Sequence, residues 1–596
     1  MMRLSQTVSP FGVGSVLDIL GESLMGADIS EWPYDRTERV GMRRLELALG
    51  VSELRSPPSV PSYPSTNTPG LPYQRFPRWL FCQDCRRMLF LRATDETGEP
   101  PVCDRCGGGL VPMRFIAVCT RKGHAMDVPW DRWAHSEPGT DDQKRCKAPN
   151  LLFETRQSGT EGLANLLVRC TTCAATRDLG DLTVRDSLKR IGVRCSGRQP
   201  WQRTAARHCD ERIEVLQRGA TNVTINETTT ALDIPEPSTE VRDVEAEIRS
   251  HRNFDDVRTA PSGPRATVLI DLIAEDLHVT PDLVRRVAGE PPEADDAAQQ
   301  ARTGLLSAEW DAFRQAFEHS DETIGTPNFV ISATSLTDEH PRVAHRQLAE
   351  RFAHVVLVHR LREVRVLHGF RRYDQEADLV DVDLGARGRA RWLPAVESFG
   401  EGLFLALDQD TLGRWEQDEA VQRRIQRLER RRRDSLIGSR FGLATPRLVL
   451  LHTFAHLLMR QLAFSSGYSS ASLRERVYAG SDREAGVLLY TAAGDAEGTL
   501  GGLVRQGQPP RLAETVLAAL ESASWCSADP ICRESHGQGL GSLNLAGCHG
   551  CALVAETSCE RSNVLLDRVL LVGGDDVPGY FAPVIDTIRS ETVSTA

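Results

Sequence analysis

Cys82-Gln83-Asp84-Cys85 and, seventeen residues on, Cys103-Asp104-Arg105-Cys106 with Gly107-Gly108 behind it form two short turns that each present a pair of thiols. One such turn offers zinc half of a tetrahedron, and two turns close it at about 2.3 Å per Zn–S bond. The competing readings are unliganded cysteines and a redox pair of the thioredoxin kind, in which the second pair would be idle. A zinc-held ribbon is the first element this sequence predicts.

Outward from that ribbon, the fifteen cysteines fall in two groups: ten between Cys82 and Cys209, five between Cys526 and Cys559, and none in the 316 residues between. Cysteines placed for packing would be scattered. In a long chain whose first twenty residues lack the charged-then-apolar pattern of a signal peptide, clustered cysteines read as thiolate ligands rather than disulfides. Cys170-Thr-Thr-Cys173 is a second half-site, and Cys195 with Cys209 would complete four thiolates. Cys119, His124, Cys146 and His135 offer donors for a further site, or Cys119 and His124 replace one of those partners; the bland alternative for His124 is a surface histidine. At the far end Cys526, Cys532, Cys548-His-Gly-Cys551 and Cys559 give five thiols for one four-ligand site. The compact set Cys532, Cys548, Cys551 and Cys559 is the expected one, with Cys526 as the spare. All these sets are closed, so two to four structural Zn²⁺ ions are expected, since a catalytic zinc keeps one position for water.

The rest of the chain sets the frame. At 596 residues, 40% hydrophobic and 26% charged, it has the composition of a globular protein of about three or four domains. No uninterrupted apolar run reaches the roughly 18 residues that cross a bilayer. The expectation is a cytoplasmic protein with no membrane partner. A net charge of -11 argues against a protein that coats nucleic acid indiscriminately, although a local basic groove is compatible with it.

Periodicity predicts an α+β multidomain chain: an N-terminal segment over 1–74, a zinc-ribbon region over 75–236, a largely helical middle over 237–440 and a four-cysteine zinc-binding α/β domain over 441–596. The Pro/Ser stretch from Ser56 to Pro72 reads as a linker or surface loop, and Gly289 to Gln300 as an exposed loop. Helices are expected over Val241 to Ile248, Thr267 to Val287, Ser307 to His319, His345 to Leu367, Asp410 to Asp434 and, buried, Leu448 to Phe464. The Asp410 to Asp434 helix carries Arg423, Arg424, Arg427, Arg430 and Arg431, followed by Arg432 and Arg433. That run is either a solvated face or a contact with phosphates or an acidic partner.

Several chemistries are missing. No G-x-x-x-x-G-K-[ST] occurs, so the cradle with which ATPases hold phosphates is absent and no bound nucleotide is expected. Asp338-Glu339-His340-Pro341 without that loop reads as a turn before a helix. His452-Thr453-Phe454-Ala455-His456 has the two-histidine spacing of zinc proteases but Thr453 where their glutamate stands, so packed helix histidines are the better reading. Gly498-Thr-Leu-Gly501-Gly502 is a turn or a close backbone approach.

Taken together, several of these stretches resemble the DrmB family, the helicase-associated component of DISARM-type anti-phage systems. They are Phe11-Gly12-Val13-Gly14-Ser15-Val16-Leu17-Asp18, Cys119 through His124 into Asp127-Val128-Pro129-Trp130, Leu216 to Asn222, Leu361 to Arg365, Pro394 to Gly402 and Leu451 to His456. The C-terminal part, from Val487 to Thr491 through Cys548-His549-Gly550-Cys551 and Glu556 to Glu560, is similar to the zinc-binding domain at the end of MrfA-type repair helicases. The resemblance implies a subunit without its own ATPase, paired as a heterodimer with a DrmA-like superfamily-two helicase on DNA. Two other readings stay open: a hydrolase around His452, His456 and Glu475, and a scaffold that touches protein only.

Overall fold

The computed structural model describes residues 4–595 apart from 60–69, 137–145, 157–161, 203–207, 236–246, 250, 260–262, 290–293, 320–321, 340, 384–391, 436, 470, 492–501 and 575. The expectations for Gly498 to Gly501, and for most of the Val241 to Ile248 helix, lie outside the described residues. The chain groups into two compact units. One comprises Met1–Gly41, Val51–Thr229 and Arg365–Val396, the other Met42–Gly50, Thr230–Val364 and Glu397–Ala596.

The first unit is made of small antiparallel sheets. Trp79–Cys82 lies between Met88–Phe90 and Leu110–Pro112; Leu166–Cys170 between Leu151–Thr155 and Thr176–Asp178; Phe115–Cys119 between Ile213–Gln217 and Ala125–Asp127. A fourth sheet joins Val16–Ile19, Glu22–Gly26 and Tyr73–Arg75. Strands this short bury little, so the turns carry much of the structure. Four turns share one signature: the residue four places after the leading cysteine is left-handed, at Arg86 (φ 62°), Gly107 (φ 73°), Gly123 (φ 64°) and Ala174 (φ 61°). In three of them that residue's N–H closes on the cysteine carbonyl, with Arg86 to Cys82 at 3.0 Å, Gly107 to Cys103 at 2.9 Å and Ala174 to Cys170 at 2.9 Å.

Arg372 sits fully buried in this unit. It donates from Nε to the Gly123 carbonyl at 3.0 Å, from Nη1 to Val223 at 2.8 Å and from Nη2 to Gly14 at 2.8 Å. Phe370 closes over Gly14, where a Cβ would fall 2.5 Å from its ring. Residues in or beside three of the stretches that carry the family resemblance therefore meet at one guanidinium.

The second unit is organised by a sheet in the order Ile324–Thr326, Phe329–Thr334, Phe352–Arg371, Trp392–Leu407, Gly486–Thr491 and Leu473–Tyr478. Alternation along each strand sorts its side chains between two faces. Phe404, Leu488, Tyr490 and Tyr478 pack with Trp310 and Phe313 of the helix Ala294–Glu318. Leu403, Leu405, Val487, Leu489, Leu473 and Val477 pack on the other side against the helices Pro446–Ser466 and Arg511–Ala523. By the same alternation Glu475 points towards the helix Pro446–Ser466. That helix is capped by Thr445, whose side chain accepts from Leu448 N at 3.2 Å, and ends at Gly467 in the left-handed region. It is long and apolar enough to cross a membrane, but its side chains fill the core.

The α+β multidomain class holds, while the helical middle needs correcting. His345 to Leu367 is not one helix: Val343–Ala349 is a short helix, and Phe352–Arg371 is a long strand. The Asp410 to Asp434 stretch is two helices, Gln409–Glu416 and Glu419–Asp434, because Asp418 restarts the helix by accepting from Ala420 N at 2.8 Å. Thr267 to Val287 is likewise two helices, Pro264–Leu277 and Pro281–Gly289. The loop expected to run to Gln300 is already helical from Ala294.

Candidate metal centres

Among the described residues, five groups of four donor side chains gather, and within each group the donor atoms lie within 4.8 Å of one another. A tetrahedral zinc–thiolate site has S···S edges of roughly 3.8 Å, which follows from its bond length. The closest sulfur pairs fall a few tenths of an ångström inside that measure. Cys82 and Cys106 are 3.4 Å apart and Cys85 and Cys103 3.6 Å, so the two turns of the first ribbon close on one point.

The next two groups differ from the pairing the spacing suggests. Cys195 and Cys209 join Cys119 and His124, not Cys170 and Cys173. Cys195 Sγ lies 3.3 Å from His124 Nδ1, and the backbone N–H of Lys122 donates to Cys119 Sγ at 3.3 Å. Hydrogen bonding from Cys195 draws the Cys119 thiol down to about 3 and pushes Cys195 up, as expected of thiols crowded where a cation would take the place of shared protons. Cys170 and Cys173 instead gather with Cys146 and His135. His135 has Nδ1 on the Asp131 carbonyl at 2.5 Å, which fixes the proton on that nitrogen and leaves a buried Nε2 without a hydrogen-bond partner, the arrangement that orients a ligating imidazole.

At the C-terminal end the spare cysteine is reassigned. Cys526 completes the group with Cys532, Cys548 and Cys551: Cys526–Cys548 is 3.5 Å, Cys532–Cys551 3.7 Å and Cys548–Cys551 3.7 Å. Backbone N–H groups of Ala528 and Cys548 donate to Cys526 and Cys551 at 3.4 Å each. A hydrogen bond from Cys551 brings the Cys532 thiol down to about 5. Cys559 lies elsewhere, with His452, His456 and Glu475. Sequence spacing identifies thiols that share a turn, but which turn meets which is set by strand pairing, and a histidine or glutamate donor leaves no CxxC mark.

The arginine helix Glu419–Asp434 resolves into structural and free positions. Val421, Ile425 and Leu428 form its buried stripe. Arg424 is bound bidentately by the buried Asp567, at 2.5 and 2.9 Å. Arg432 is held by Glu429 at 2.7 and 2.8 Å. Arg423 is exposed on the helix. Arg427, Arg430 and Arg431, with Asp434, Ser435 and Gly541, line a cleft of about 460 Å³. Among the described residues no carboxylate lies within ion-pair distance of those three guanidinium groups.

With this geometry in place, the likeness to known proteins can be located on it. The model of a domain of unknown function (DUF8724) matches residues 3–225, which hold the three N-terminal groups. The model described as the MrfA Zn-binding domain matches residues 454–552, which hold Cys526, Cys532, Cys548 and Cys551 but neither His452 nor Cys559. The DISARM protein DrmB of Bacillus paralicheniformis is 31% identical over 583 residues, covering 93% of this chain and 97% of that protein.

Proposed function

The chain belongs to the DrmB family of DISARM proteins, and from that premise we propose that it serves anti-phage defence in the cytoplasm as the accessory, non-ATPase subunit of a DNA helicase complex. The motor is a separate DrmA-like superfamily-two helicase. This chain supplies a zinc-stapled body and part of the DNA contact. The observation that carries the DNA contact is the cleft of Arg427, Arg430 and Arg431, three cations on one helix that share the cleft with a single carboxylate, Asp434, which forms no ion pair with them. Guanidinium groups so placed match phosphate oxygens in charge and in fork geometry. The missing phosphate loop supports the division of labour.

The test is co-expression with a DrmA-like helicase followed by affinity capture and DNA binding. The pair should co-purify, the isolated chain should turn over no ATP, and reversing Arg427, Arg430 and Arg431 to Glu should lower DNA affinity of the pair at least tenfold with the partner retained. ATP turnover by the isolated chain overturns the accessory role. Unchanged DNA affinity in the triple variant leaves a scaffold that works through protein alone. The hydrolase reading is disfavoured by burial, because His452, His456 and Glu475 have no solvent-exposed surface through which a substrate could reach them.

A further inference from the structure

The group of His452, His456, Glu475 and Cys559 lies partly outside the matched zinc-binding domain and has a chemistry unlike the four-cysteine group beside it in sequence. His452 and His456 stand one helical turn apart on the core helix Pro446–Ser466, with rings in edge contact at 4.5 Å. His452 Nε2 is 3.0 Å from Glu475 Oε1 and 3.2 Å from Cys559 Sγ, and His456 Nε2 is 3.3 Å from the same carboxylate oxygen. Four donor atoms converge there, and His452, His456 and Glu475 are completely buried.

Proton placement makes this convergence difficult to satisfy with hydrogen bonds alone. His456 Nδ1 lies 2.8 Å from the Ala552 carbonyl, which can only accept, so Nδ1 carries the proton. In the neutral ring Nε2 is then a lone pair, facing a carboxylate oxygen that is also an acceptor. Glu475 Oε2 and His452 Nδ1 are buried without hydrogen-bond partners. The sulfur of Cys559 receives the backbone N–H groups of Arg561 and Asn563, both at 3.3 Å, the usual support of a thiolate. The Glu475 N–H donates to the Ser558 carbonyl at 3.2 Å, so the strand Leu473–Tyr478 and the cysteine's loop are already joined by their backbones.

We propose that His452, His456, Glu475 and Cys559 bind a second C-terminal Zn²⁺ ion, in a closed structural site distinct from that of Cys526, Cys532, Cys548 and Cys551. The ligand atoms are Nε2 of both histidines, a Glu475 carboxylate oxygen and Cys559 Sγ. The observed separations of 3.0 to 3.3 Å lie a few tenths of an ångström inside the roughly 3.3–3.6 Å edges of a zinc tetrahedron with nitrogen, oxygen and sulfur ligands, so a small outward shift of the donors seats the ion. Two neutral imidazoles, one carboxylate and one thiolate give the ion net neutrality, which is what a site sealed from water requires. The Ala552 carbonyl holds the His456 tautomer from behind. The ion ties the core helix, the edge strand and the loop after the four-cysteine group at one point.

Zinc-edge anomalous scattering from crystals of the full chain, together with metal counts on purified protein, tests this. An anomalous peak within bonding distance of the four donor atoms is expected. Cys559→Ser should hold one zinc fewer than the unmodified chain, and Cys526→Ser should lose its ion while the peak at His452 persists. Absence of a peak there in the unmodified chain overturns the proposal even if the variants fail to fold. So does an unchanged count in folded Cys559→Ser, which would leave a buried imidazolium–carboxylate pair in place of the metal. Neither result depends on whether the chain binds DNA.

Discussion

Arg372 shows how much one residue organises. It has no exposed surface, and burial brings its guanidinium down to about 9, so it still carries its charge at neutral pH at a cost offset by the carbonyls of Gly14, Gly123 and Val223. Replacing it with Met keeps the volume; Gly14 O retains Thr224 Oγ1 and Gly123 O retains Gln199 Nε2, but the Val223 carbonyl and the Gln199 side-chain carbonyl lose their donor, each worth about 1–3 kcal/mol. Arg372→Met should therefore destabilise the first unit by about 2–4 kcal/mol, a fall of roughly 5 °C or more in a thermal scan. A shift under about 3 °C would mean that water satisfies those carbonyls. Nothing in the sequence around Arg372 announces this role, because the three stretches it joins are brought together only by the fold. Half-sites are different. Cys82/Cys85, Cys103/Cys106 and Cys170/Cys173 are legible as pairs because a local turn makes them, whereas the partnership of Cys195 with His124, of Cys526 with Cys548 and of Cys559 with His452 is tertiary.

Helices were legible from a single buried stripe or, where every face is buried, from an apolar run too long for a strand. The helix Glu419–Asp434 shows its Val421, Ile425 and Leu428 stripe openly, and the helix Pro446–Ser466 its apolar length. The strand Phe352–Arg371 misleads because both its faces are buried, so alternation is lost and Leu348, Phe352, Val355 and Val356 imitate a helical stripe. Its five valines are the signal that favours a strand. Its charges also mislead, since Arg362 is paired to Asp233 and Glu397 at 2.7 Å each and Glu363 accepts from Tyr490 at 2.8 Å. The arginine helix yields a sharper expectation. Arg424→Ala leaves Asp567 buried without its bidentate partner and should cost about 3 kcal/mol, whereas Arg427→Ala, on the open side, should stay within about 0.5 kcal/mol. Equal effects in chemical denaturation would mean that the helix does not divide into a structural and a free face.

At the scale of the whole molecule, a net charge of -11 and a three-arginine cleft set limits on how DNA can be held. An acidic body repels phosphate at long range, so attraction has to be local and steeply screened. If Arg427, Arg430 and Arg431 each neutralise one phosphate, counterion release gives a slope of log affinity against log salt of about -2.7 on duplex DNA and about -2.1 on a single strand. Between about 50 and 200 mM salt that is a loss of about 40-fold on duplex and about 20-fold on single strand. Fluorescence anisotropy of the isolated chain on labelled oligonucleotides measures both slopes. A slope near about -3 that flattens towards zero in the triple Glu variant assigns the contact to the cleft. One steeper than about -6 would require a wider basic surface than this cleft supplies, and one near zero in the unmodified chain would place all of the complex's DNA contact on the helicase.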